Sequence, residues 1–218
     1  DAKMDRTSKR VIPMGIISQF NGFIFGLFLS ILGVLYLYLT LTALISFLSF
    51  LTVFSYILIY TPLKKISSIN TLVGAIPGAL PPIGGWFAAN TEISSVTAAL
   101  FGILFCWQIP HFLSLAYMYA DDYEKGGFIM LPSLYSNQIH TRIHMIFFTL
   151  SLISISFYLY IYKIAGNIYL FGNIALSIMF IYYVFKFSKD VNKQTARGVF
   201  FASIIYLPIL LLLVIVNS

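Results

Sequence analysis

Residues 105–132 read FCWQIPHFLSLAYMYADDYEKGGFIMLP, and the fold turns on how this stretch changes character. Its first half is apolar apart from Gln108 and His111. Asp121, Asp122 and Glu124 then arrive together, and Gly126 and Gly127 release the chain into a loop. The apolar run extends back to residue 94, which exceeds the roughly 20 residues needed to cross about 30 Å of hydrocarbon. The acids mark where it meets water. Six further runs can be read the same way, giving spans at 14–33, 39–60, 71–89, 94–119, 143–162, 167–185 and 198–217.

Composition agrees, since 60% of the 218 residues are hydrophobic and only 9% are charged. Barrel strands alternate over about 10 residues, whereas these runs are continuous, and backbone in lipid must satisfy its own polar groups. The expected fold is all-α: a polytopic membrane helical bundle with seven transmembrane helices, forming one domain over 1–218. A signal peptide cannot account for seven spans. Cys106 is the single cysteine and lies inside a span, which excludes a disulfide or a thiolate metal set. The net charge of +6 shows no basic stripe interleaved with stacking aromatics, so nucleic acid is not indicated.

The charges are sorted by side. Of the 13 basic residues, all but Lys163 fall in alternate connections: Lys3, Arg6, Lys9, Arg10, Lys64, Lys65, Lys125, Arg142, Lys186, Lys189, Lys193 and Arg197. Such a bias marks the cytoplasmic or matrix face. Of the seven acids, all but Glu92 share that face: Asp1, Asp5, Asp121, Asp122, Glu124 and Asp190. Acids do not follow the positive-inside rule, so their company with the bases asks for a chemical reason. The chain opens at Asp1 directly into DAKMDRTSKR without an initiator Met, which reads as an N-terminal truncation.

Several polar or irregular positions stand out. Gln19 and Asn21 in the first span are polar enough to face a cavity or a neighbouring helix, and a turn near Gly33–Leu37 would return the chain. Tyr60 and Lys64 in YTPLKK share a face if the helix continues through Pro62. TLVGAIPGALPPIGGW carries Pro77, Pro81 and Pro82 among four glycines, so the third span must kink or pack closely. Pro110 should kink the fourth. His140 and His144 are four apart at a helix start but lack a third ligand. SKDVNKQTAR reads as an ordinary basic connection, and Trp86 and Trp107 as belt or core residues.

Asp1 and Asp5, four apart, project to one side if their segment is helical. Asp121 and Asp122 form a second carboxylate group on the same membrane face. Two such groups facing each other repel unless cations lie between them, and Mg²⁺ commonly bridges one or two carboxylates to substrate phosphates. This makes Asp1, Asp5, Asp121 and Asp122 the candidate metal ligands. Arg6, Arg10, Lys64 and Tyr60 would meet the remaining diphosphate oxygens through charge-assisted bonds. Taken singly, each feature has a plainer reading: acids at a helix end are a solvated face, a lysine pair is the topology signal, and an intramembrane His is hydrogen-bonded packing. The conjunction points to diphosphate ionisation beside an apolar chamber for an isoprenoid tail.

Along residues 1–135, DAKMDRTSKR, YTPLKK followed by Asn70, GAIPGALPPIGGW, WQIPHFLSLA and DDYEKGGFIMLP resemble, in order and spacing, the successive motifs of one family. It is the haem O synthase (protohaem IX farnesyltransferase) branch of the intramembrane UbiA-type prenyltransferase superfamily. The resemblance implies nine transmembrane helices, the first two preceding residue 1, around a cavity open to lipid. It implies Mg²⁺-dependent farnesyl transfer from farnesyl diphosphate to a vinyl group of haem B, with water completing the new side chain. It matches Asp1 to the last acid of the first motif, Arg6 and Arg10 to its trailing bases, and Tyr60 and Lys64 to a diphosphate-contacting pair. It matches Asp122 to the acid of the second motif. Asp1, Asp122, Lys64 and Tyr60 are thus the candidate catalytic residues, and Arg6, Arg10, Lys64, Asn70 and His111 the candidate substrate contacts, with His111 on the haem side. Where a second acid of DxxxD would stand, this chain has Gly126.

The compact loops favour a bacterial inner (plasma) membrane over a mitochondrial inner membrane, the basic bias puts the active face on the cytoplasmic side, and haem A synthase or a terminal oxidase is a candidate partner. Two other readings remain open. A relative in the same superfamily could prenylate an aromatic quinone precursor. A transporter would also show seven spans, but it predicts ionisable groups at the midplane and repeat symmetry, whereas these acids cluster at one interface.

Overall fold

The structure is a computed structural model describing residues 2–89 and 94–217. Asp1 and Glu92 lie outside the described residues. Among those described, every regular element is helical and seven helices are long and apolar enough to cross a membrane: Gln19–Thr40, Ala43–Leu63, Asn70–Ala89, Ser95–Met118, Ile139–Ile161, Asn167–Lys189 and Lys193–Val216. They divide between two compact units, Asp1–Glu92 with Tyr119–Met130, and Ile93–Met118 with Leu131–Ser218.

In the first unit, α1 (Gln19–Thr40) pairs with α2 (Ala43–Phe54). The turn between them lies at Leu41 and Thr42, not at Gly33–Leu37 as the sequence suggested. Nothing in that apolar stretch stops a helix; α1 runs to Thr40 and α2 begins at an N-cap, where Thr42 Oγ1 accepts the Ile45 N–H at 3.4 Å. The start shifts correspondingly, from residue 14 to Gln19, where Ser18 Oγ accepts the Asn21 N–H at 3.1 Å. Gln19 and Asn21 therefore sit exposed in a first turn rather than facing a cavity within the span. No residue of α1 is buried, and Phe20, Phe25 and Phe28 are all more than half exposed, as lipid-facing side chains should be.

α2 runs on through a π-turn, Ser55–Tyr60, into a last turn, Thr61–Leu63. The wider turn lets the Thr61 N–H and Oγ1 both reach the Tyr56 carbonyl just where Pro62 cannot donate. The third span breaks as expected. α3 (Asn70–Ala79) stops at Leu80, and α4 (Pro81–Ala89) restarts on the proline pair. Gly74 is the point of closest approach: a Cβ there would stand 2.5 Å from Cε2 of Tyr60, so only glycine lets the ring lie against α3. The short helix α6 (Ala120–Lys125) belongs to this unit.

The second unit is a ring of four long helices in which α5 (Ser95–Met118) packs on α8 (Ile139–Ile161), α8 on α9 (Asn167–Lys189), α9 on α10 (Lys193–Val216), and α10 back on α5. A short helix, α7 (Leu131–Leu134), leads into α8. Without a hydrophobic driving force between helices in lipid, close packing carries the association. Between α9 and α10, Leu213 and Tyr183 press onto Gly172 and Gly198, where any Cβ would collide. α5 continues as helix through Pro110. α10 begins five residues earlier than the sequence suggested, because Asn192 and Thr195 form a reciprocal capping box that turns most of SKDVNKQTAR into helix ends.

Candidate diphosphate-binding face

The centre of the first unit's polar face is Asp122. The segment around Met4 makes one helical turn, with the Thr7 and Ser8 N–H groups both donating to the Met4 carbonyl. The first amides of such a turn lack internal partners. Asp122 supplies them from 117 residues away: Oδ1 accepts the Asp5 N–H at 3.1 Å and Oδ2 the Arg6 N–H at 3.3 Å. Met4 and Thr7 are buried beneath the turn, while Asp5 and Arg6 face outward. Gly126 admits this docking, since a Cβ there would meet the Phe128 ring at 2.9 Å and Met4 Cγ at 3.1 Å.

Two cations stand on aromatic supports. The Arg6 guanidinium lies 4.7 Å from the Tyr119 ring centre and 5.6 Å from that of Tyr123, and Nη2 donates to the Tyr123 hydroxyl at 3.4 Å. Lys64 Nζ lies 4.2 Å over Tyr60, with Tyr56 and Phe128 at 5.8 and 5.9 Å. Such contacts hold a cation without neutralising it. Burial depresses the Lys64 pKa below the ordinary lysine value, and among the described residues no carboxylate pairs with it. Tyr60 and Lys64 do share a face, joined by a Lys64 N–H to Tyr60 carbonyl bond of 3.1 Å.

Asn70 is fully buried and serves as a strut. Its amide donates to the Ser67 and Ile129 carbonyls, each at 2.7 Å, while the Ile129 N–H donates to the Lys64 carbonyl at 2.8 Å. The loop after the acidic helix is thereby tied to Lys64. Both amide hydrogens of Asn70 are taken by the chain itself, so the structure gives it a bracing place behind Lys64 rather than the direct substrate contact expected from the sequence.

The carboxylates gather around Lys125. Its ammonium meets Asp5 Oδ2 at 2.6 Å, and its pKa is raised, first by that hydrogen bond and charge, then by Asp122 and Asp121. Among the described residues no three His, Cys, Asp or Glu side chains form a ready metal cage. Mg²⁺ does not require one, because it is usually held by one or two carboxylates with substrate phosphates completing the shell. Asp121 and Asp122 beside Asp5 fit that donor chemistry. Tyr119, Tyr123 and Phe128 are supporting residues that sequence reasoning missed. The spacing of Tyr119 and Tyr123, four apart across the acidic pair, was the available signal.

The second unit holds His111. Its ring is stacked against Trp107 at 4.8 Å and Phe200 at 4.9 Å, and its Nδ1 lies 2.7 Å from Ser203 Oγ. Trp107 is half-buried, and its indole N–H donates to the Ser203 carbonyl at 2.7 Å. His144 Nδ1 bonds to the His140 carbonyl at 2.8 Å, a local helix contact that fits the interfacial reading of that pair.

The model of the UbiA prenyltransferase family matches residues 1–205. The chain belongs to the UbiA prenyltransferase family. Among curated relatives, a protein of Salinibacter ruber is 38% identical over 217 residues, covering all of this chain and 77% of its own length. A protein of Solibacter usitatus is 36% identical over 210 residues, covering 96% of this chain and 72% of its own length. One of Nitrosospira multiformis is 36% identical over 218 residues, covering all of this chain and 73% of its own length. All three are named protoheme IX farnesyltransferase. A solved structure from work on digeranylgeranylglyceryl phosphate synthase aligns with a TM-score of 0.80 at 23% identity, covering 98% of this chain and 75% of that one. That likeness concerns the fold of the UbiA prenyltransferase family: a polytopic membrane bundle of helices.

Proposed function

We propose that this chain transfers the farnesyl group of farnesyl diphosphate to a vinyl group of haem B, giving haem O. The observation that carries the acceptor assignment is the shared activity name of relatives aligned over at least 96% of the chain. The chemistry balances as follows. The allylic C–O bond breaks and diphosphate leaves with the electron pair. The vinyl π-bond attacks the farnesyl carbon, water adds to the resulting cation, and a proton is lost.

The residues divide this work. Arg6, steadied by Tyr119 and Tyr123, and Lys64, seated on Tyr60, offer positive charge to the departing diphosphate, with Arg10 four residues beyond Arg6. Charge developing in a transition state is best stabilised by groups already held in place, and both cations are pre-positioned by rings, with no carboxylate pairing with either among the described residues. Tyr60 is the floor of the Lys64 seat and a candidate donor to a diphosphate oxygen. Asp122, Asp121, Asp5 and Asp1 would hold Mg²⁺, whose charge neutralises the leaving group. Asp122 additionally fixes the backbone that carries Arg6.

The sided charges and the bacterial relatives support a plasma membrane with this face cytoplasmic. A product this apolar stays in the bilayer, which is the physical reason to propose handover to a haem A synthase or terminal oxidase in the same membrane. The test is to incubate purified protein with haem B, farnesyl diphosphate and Mg²⁺ and follow the tetrapyrrole by mass. Haem O formation is expected. Unchanged haem, alongside turnover of 4-hydroxybenzoate by the same preparation, would transfer the assignment to a quinone precursor.

A further inference from the structure

Asp5, Asp121 and Asp122 share one corner of the first unit, and three carboxylates so placed repel one another. Two contacts offset that repulsion. Asp122 accepts the Asp5 and Arg6 amides, and Asp5 Oδ2 receives the Lys125 ammonium at 2.6 Å.

The partner that Lys125 takes is informative. Asp121 stands four residues before it on α6, the spacing and order that favour an ion pair along a helix. The ammonium instead reaches Asp5, 120 residues away in sequence, while the charges of Asp122 and Asp121 act on it as well. A single cation therefore serves both carboxylate groups and ties the turn around Met4 to α6. The next residue is Gly126, where a second acid of DxxxD would stand, and a Cβ there would meet Phe128 and Met4. This chain thus closes its acidic helix on a positive charge. The pair is also easily undone. Its side chains are 54% and 79% exposed, so the ammonium can swing into water at little cost.

We infer that Lys125 is a resident counter-ion of the metal site: its ammonium holds the place on Asp5 that Mg²⁺ takes, and yields it when the ion arrives with diphosphate. This rests on the metal-assisted reading above and specifies how that site stays assembled and how it is loaded. A bare ion must displace the lysine unaided. With diphosphate, substrate oxygens complete the Mg²⁺ shell and favour the exchange.

The test is metal binding. The full chain, in detergent, is titrated with Mn²⁺ and followed by electron paramagnetic resonance of the free ion, with Mg²⁺ as competitor, with and without inorganic diphosphate. The parent should bind the ion more tightly with diphosphate than alone. Lys125→Ala should bind the ion alone roughly 2- to 5-fold more tightly than the parent, the range set by an exposed ion pair. Lys125→Arg, which keeps the charge, should not tighten. In an Asp5→Asn background, Lys125→Ala should change nothing further. In metal-free buffer the Asp5 and Arg6 amides should exchange faster in Lys125→Ala and slow again on adding Mn²⁺, with helical circular dichroism as the folding control. Equal or weaker ion binding by Lys125→Ala, or the same tightening in the Asp5→Asn background, overturns the inference and leaves the diphosphate site standing. A parent chain that binds no ion even with diphosphate overturns the metal-assisted reading as well.

Discussion

Replacing Asp122 with Ala removes both acceptors that finish the turn around Met4. Hydrogen bonds to a charged acceptor are worth about 1.5–3 kcal/mol each, but this site is partly solvated and the amides can turn to water. A combined loss of about 1–2 kcal/mol is therefore the reasonable expectation, which corresponds to a factor of roughly 5–30 in the docked population. The helices do not depend on this contact, so global helicity should hold while residues 2–10 open locally. Hydrogen exchange by mass spectrometry reads this directly: the Asp5 and Arg6 amides should exchange faster by that factor, with α8 to α10 unchanged. Asp122→Asn, which keeps one carbonyl acceptor, should fall between. Unaltered exchange in Asp122→Ala would refute the capping role, and full prenyl transfer by that variant would refute its role at the diphosphate.

Other expectations follow from the same geometry. Gly74→Ala places a methyl group 2.5 Å from Tyr60 Cε2, so it should cost about 1–3 kcal/mol by overpacking, seen as a lower Tm, and should displace the ring beneath Lys64. Burial lowers the Lys64 pKa, so as pH rises its charge is lost sooner than that of a free lysine, and diphosphate affinity should fall on that limb. Lys64→Arg, whose guanidinium stays charged, should move the limb upward; a limb at the same pH would assign it elsewhere. Tyr123→Phe removes the hydroxyl that receives Arg6 Nη2 but leaves the ring, so KM for farnesyl diphosphate should rise modestly while Tm stays constant.

The span count was legible because apolar length is a one-dimensional signal. Where local chemistry decides, patterning was insufficient. The α1–α2 turn depends on a Thr42 cap that looks like any threonine, and α10 begins early because Asn192 and Thr195 bond each other. The proximity of Asp122 to the Asp5–Arg6 backbone was approachable through motif order, yet its form was not: the carboxylate captures amides, a partner that no side-chain pattern reveals. The aromatic seats of Arg6 and Lys64 were missed for a related reason, since in a chain with 15 Tyr and 21 Phe no single ring stands out.

The most direct measurement is calorimetric binding of inorganic diphosphate to the purified chain, with Mg²⁺ and with chelator. The account expects binding only with Mg²⁺, weakened about 10-fold or more by Arg6→Ala and by Lys64→Ala, as the loss of one charge-assisted contact implies. Binding that is indifferent to Mg²⁺ and to both cations would contradict it.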